Sequence, residues 1–169
     1  MRKLLNALYD GAAALAAVCM VGLLVMVMLS VLGREFHFHV RGTDAYAGYL
    51  MAGAGFLALA HTLKRGEHIR VTLLLAKLTG SAKHGMEVWS LFAASLLAGL
   101  FAWYSVKLAV NSWQFHDIST GNDATPLWIP QLSMAVGAVV LLIAFVDDLV
   151  MEIRGKRVVY QSADALHNE

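Results

Sequence analysis

The chain has 169 residues, of which 59% are hydrophobic and only 15% charged, and its mean hydropathy is +0.62; a soluble domain carries about 25% charged residues. That bias points to lipid. With 13 Lys and Arg against 12 Asp and Glu, the net charge of +1 gives no electrostatic footprint for nucleic acid and no polyelectrolyte character, and the lone Cys19 excludes an intrachain disulfide framework or a CxxC site.

Charge at mid-bilayer is costly and a crossing helix needs about 20 apolar residues, so uncharged stretches locate the spans. Four occur, at 11–33, 45–63, 88–106 and 124–146, together about half the chain. The expected fold is an all-α integral membrane protein: a single four-helix membrane domain over 1–154 and a polar tail over 155–169. A buried soluble bundle would show charges on a solvent face every few residues, and these stretches do not.

The first stretch follows Arg2 and Lys3, as an export signal does, and the residues before Cys19 loosely resemble a lipobox. Its apolar run continues well past Cys19, beyond the 7 to 15 residues of a signal core, so it reads as an uncleaved anchor. Arg34 ends it at the far interface, where a guanidinium reaches phosphate or the last helix carbonyls. His37 and His39 follow as an HxH pair without a third ligand in sight.

The second stretch carries Ala45, Gly48, Ala52 and Gly55 along one side, a line of small residues that lets helix backbones approach in lipid. Ala94, Ala98 and Ala102 form another in the third stretch, and Ser133 and Gly137 a short one in the fourth. Each line fits packing within the chain or docking to another chain. Lys64 and Arg65 stand where the second helix leaves the membrane, placed to anchor its depth.

Between the second and third stretches, residues 68–79 place Val71, Leu74, Leu75 and Leu78 on one helical face, with Arg70 and Lys77 on another. The pattern predicts an amphipathic helix on the cytoplasmic leaflet, its basic residues meeting lipid phosphate; a packed connector is the other reading. Glu67 and His68 stand at its start, placed to meet unpaired amides or the neighbouring basic residues. Trp89, Trp103, Tyr104, Trp113 and Trp128 lie near span ends, as an aromatic belt does.

Counting Lys and Arg outside the spans gives ten on the side of the termini and the 64–83 segment, and three on the other. Both termini are therefore expected in the cytoplasm. No Asp, Glu, Lys or Arg lies within a span, whereas ion-coupled transporters generally place polar groups and broken helices near the midplane. Ser30, Thr62, Ser90, Ser95 and Ser133 are modest exceptions, each able to bond a preceding carbonyl. Matched imidazoles for a haem, a phosphate loop and a nucleophile elbow are all lacking. No catalytic residue, cofactor or metal is expected.

Several segments resemble the small membrane subunit, of DctQ type, of tripartite ATP-independent periplasmic (TRAP) transporters. They are Gly33-Arg34-Glu35-Phe36, Asp44, Gly55, the run from Ala58 to Val71 that ends in RGEHIRV, Thr125 to Pro130, and Gly137. The family often has two adjacent acidic residues and a tryptophan early in the second span; this chain has Asp44-Ala45 and Tyr49-Leu50-Met51. The resemblance implies a bacterial inner-membrane complex with a large permease subunit of DctM type and a periplasmic receptor of DctP type, taking up a carboxylate solute on the sodium gradient. The small subunit would be a non-catalytic scaffold, with solute and sodium sites in the large one. A four-helix anchor for a redox enzyme is the alternative from another class, motivated by the four spans and seven histidines, and an autonomous small exporter is a third.

Overall fold

The computed structural model describes residues 2–38, 40–65, 81–121 and 123–155. Four helices make up nearly all of this: α1 (Arg2–Glu35), α2 (Thr43–Lys64), α3 (Ser81–Gln114) and α4 (Trp128–Ile153). The predicted amphipathic helix over 68–79, with Glu67, His68, Arg70 and Lys77, lies outside the described residues, as does His39.

The helices outrun the uncharged stretches. α1 and α3 have 34 residues each, about 51 Å at 1.5 Å per residue against a hydrocarbon core of about 30 Å, because a charge ends an apolar stretch without ending a helix. The fourth differs at its start: α4 begins at Trp128 rather than near 124, because residues 117–121 and 123–127 form a tight return. There Ser119 N–H donates to the Thr125 carbonyl (2.8 Å), Leu127 N–H donates to the Asp117 carbonyl (2.9 Å), and Ile118 pairs antiparallel with Pro126. Pro130 falls in the first turn of α4, where its missing N–H costs nothing. α3 stops at Gln114, and His116, with φ of 53°, reverses the chain while Asp117 N–H donates to the Ser112 carbonyl at 3.0 Å, the bond of a Schellman cap.

Among the described residues, three helices are long and apolar enough, by length and composition, to cross a membrane: Lys3–Glu35, Lys83–Gln114 and Trp128–Ile153. α2 has 22 residues, enough to span, but three glycines, two tyrosines and His61 dilute its apolarity.

The helices form a row, α1–α2–α4–α3, in which α1 packs mainly on α2, α2 on α4 and α4 on α3. The chain is thus two hairpins, α1/α2 and α3/α4, joined along one seam. Burial is inside out relative to a soluble bundle. The buried set is dominated by alanine (Ala12, Ala60, Ala98, Ala102, Ala138 and Ala144 among others), while Leu24, Met51, Leu97 and Trp103 are exposed. Water would not tolerate so much large apolar surface, whereas lipid leaves close backbone packing as the main attraction between helices. The soluble-bundle reading fails on that observation.

At mid-seam a Cβ placed on Gly137 of α4 would lie 2.5 Å from the Phe56 carbonyl oxygen of α2, so this crossing requires glycine. Gly53, on the same seam, lies against Cys19 and Ser133. Near one end Tyr9, Ala12, Ala60, Leu63, Val140 and Ala144 close a small core. Gly137→Ala should therefore lower stability by roughly 1–3 kcal/mol, the usual cost of overpacking, while Gly55→Ala, where an added Cβ meets nothing within 4 Å, leaves the melting temperature in detergent nearly unchanged. Equal melting of both variants would show that the seam does not depend on this approach.

Candidate functional site

Two polar clusters pin the seam at its ends, and an open face lies between them. Helix directions alternate, so the starts of α1 and α3 share one end of the row with the finishes of α2 and α4. At that end the Lys64 ammonium donates to Asp147 and, at 3.0 Å, to Asp148, both on α4, and stands 5.3 Å from the centre of the Tyr9 ring. The Lys64 ammonium is thus turned onto α4, while Arg65 is exposed. One cation between two carboxylates ties α2 to α4, with α1 completing the contact through Tyr9. Nearby, His61 lies 3.6 Å from Asp10, and His84 Nδ1 lies 3.0 Å from a Glu152 carboxylate oxygen.

At the opposite end Asp123 gathers the return loop onto α2. Tyr49 Oη donates to it at 3.0 Å and Ser119 Oγ at 2.8 Å, while Thr125 Oγ1 reaches Tyr46 Oη at 3.3 Å. Gly42, with φ of 80° just before α2, lets the loop sit this close, since a Cβ there would fall 2.9 Å from the Asp123 Cβ. Partial desolvation pushes the Asp123 carboxyl up, but hydrogen bonds from Thr125, Ser119, its own backbone and Tyr49 prevail and hold it at about 2.

Of the residues singled out from sequence, Arg34 lies exposed in the last turn of α1. It lines a pocket of about 510 Å³ with His37, Phe38, Thr43 and Asp44. Trp128 opens α4 half-buried, and with Trp113, Val136 and Val139 it lines an apolar groove of about 460 Å³ along α3 and α4. The small lines divide. Ala98, Ala102 and Gly137 are buried, with Ala98 and Ala102 on the helix that packs against α4. In α2, Gly53, Ala54, Leu57 and Ala60 are buried instead, which leaves Ala45 and Ala52 half-buried and Gly48 and Gly55 exposed, with nothing within 4 Å of an added Cβ at either glycine.

Thr62, Ser90, Ser95 and Ser133 each donate to a carbonyl three or four residues back, at 2.7–2.9 Å. Ser30 instead reaches Asp44 at 3.4 Å across the first hairpin. Sequence reasoning missed Tyr9, Tyr49, Asp123, Asp147, Asp148 and Glu152. Only charge placement hinted at them: Asp147, Asp148 and Lys64 all stand just beyond the ends of uncharged stretches.

Residues 23–155 match the family described as tripartite ATP-independent periplasmic transporters, DctQ component. The chain belongs to the DctQ family. That span covers well over half the chain and includes Lys64, Asp147, Asp148, Tyr49 and Asp123, with Tyr9 and Asp10 outside it. DctQ proteins are the small membrane component of TRAP transporters and work with DctM and DctP components. No curated protein matches the sequence.

The depressed Asp123 gives the loop a defined acid response. A carboxylate held at about 2 against an ordinary 3.8 stabilises the folded loop fully above pH 3.8, and the contribution is lost as pH falls from there through 2. Protease susceptibility of the 115–127 loop should rise across that window in the parent chain, and Asp123→Asn should show raised susceptibility already at pH 7. An Asp123→Asn loop as resistant at pH 7 as the parent would refute this role.

Proposed function

We propose that this DctQ protein is the non-catalytic scaffold subunit of a TRAP transporter in the bacterial inner membrane, holding the large DctM-type subunit while that subunit takes up a carboxylate solute on the sodium gradient. The solute would arrive on a DctP-type periplasmic receptor. The family match over residues 23–155 carries this reading. The form of the chain supports it, because a row of helices with large apolar side chains outward offers broad surface for a partner.

Within this reading all four helices span the membrane, α2 being shielded by α1 and α4, and the Lys64 end of the row faces the cytoplasm. The ten-to-three distribution of Lys and Arg supports that orientation. Cysteines placed at 83 and 117 report it directly: an impermeant thiol reagent added from the periplasm should modify residue 117 and spare 83. The reverse pattern would invert the topology.

The face of α2 that carries Ala45, Gly48, Ala52 and Gly55 is proposed as the contact for a helix of the large subunit. A bulky residue there would separate two backbones without disturbing the described helices, since among the described residues nothing lies within 4 Å of an added Cβ at either glycine. Gly48→Leu and Gly55→Leu should retain the parental melting temperature yet lose co-purification with the large subunit and most sodium-dependent uptake in proteoliposomes. Full pull-down and uptake in both variants would remove this face from the interface.

A further inference from the structure

We propose that His84, Glu87 and Glu152 form a binding site for a divalent transition-metal ion of the zinc type, joining the start of α3 to the finish of α4. His84 and Glu87 lie three residues apart on α3 and so share a face; Glu152 comes from the last turn of α4. One ligand atom from each lies within 4.8 Å of the other two, and His84 Nδ1 is already 3.0 Å from Glu152. Metal–ligand bonds of about 2.0–2.2 Å set tetrahedral donors about 3.3–3.6 Å apart, so side-chain rotation of about 1 Å closes the set.

The surroundings favour a cation independently of that spacing. The finish of a helix carries partial negative charge, and α4 ends with Asp147, Asp148 and Glu152 and no basic residue in its last turn. Lys64 is bound to Asp147 and Asp148, on the turn before Glu152. The Glu152 side chain is only 9% exposed whereas that of His84 is 53% exposed, so one ligand is fixed in the interface and another opens toward incoming ions. One imidazole and two carboxylates match the charge of a dication, which suits a site at the edge of low-dielectric surroundings. The imidazole selects zinc-type ions over magnesium or calcium, which take all-oxygen sets. The three donors among the described residues leave a fourth position on a tetrahedral ion.

The test uses the full chain, chelator-stripped, in detergent and without a histidine tag. Zn²⁺ should bind one-to-one in competition with a chromophoric chelator, raise the melting temperature, and resist displacement by a hundredfold excess of Mg²⁺. Co²⁺ in its place should give tetrahedral d–d absorption. His84→Ala and Glu87→Gln, both changes at accessible positions, should each weaken Zn²⁺ binding about tenfold or more and abolish the thermal shift. His61→Ala should retain both. Absence of one-to-one binding, displacement by Mg²⁺, or parental affinity in both His84→Ala and Glu87→Gln would overturn the site, leaving His84 and Glu152 as a simple ion pair.

Discussion

The seam between α2 and α4 is the contact on which the whole row depends, because α1 and α3 hang from its two sides. Its middle is a backbone-to-backbone approach, Gly137 against the Phe56 carbonyl, and such an approach draws on dispersion and the fit of small residues rather than on exclusion of water. Attraction of that kind falls off within about an ångström. The crossing point therefore fixes the separation of the two hairpins, and every other contact along the seam inherits that spacing.

Polar pairs at the two ends then fix direction and register. Small-residue packing is compatible with sliding, since one alanine resembles the next, but Lys64 meets Asp147 and Asp148 in one register only, and so does Tyr49 with Asp123. The Lys64 group is half-buried, so its worth falls between that of an exposed pair and a buried one, roughly 1–3 kcal/mol. Loss of the lysine would leave adjacent carboxylates facing each other. Loss of one aspartate would leave a pair intact.

Much of this was legible in the sequence. Apolar stretches locate the four helices, and the small residues at Ala98, Ala102 and Gly137 mark real burial, because periodicity reports which face of a helix lacks bulk. What periodicity cannot report is which of two small faces meets a neighbour. α2 has both, Gly53-Ala54 with Ala60 and Gly48 with Gly55, and the pairing of α2 with α1 and α4 chooses the first. The end clusters were hidden for a related reason. Lys64 and Asp147 are 83 positions apart, and each alone looks like a charge that terminates a span and reaches for lipid headgroups.

The same geometry limits how a second protein can meet α2. Its two flanks are taken by α1 and α4, so a helix that reaches Gly48 and Gly55, seven residues apart and hence on one face, must approach the broad side of the row rather than its edge. Such an approach touches the helix that joins the two hairpins. A partner held there bears on the helix that both hairpins share as their junction, whereas one held on the outer side of α1 or α3 bears on one hairpin alone. For a subunit whose proposed work is to stay still beside a moving one, contact with the middle of the row transmits load to the crossing where Gly137 meets the Phe56 backbone, and so to both hairpins together.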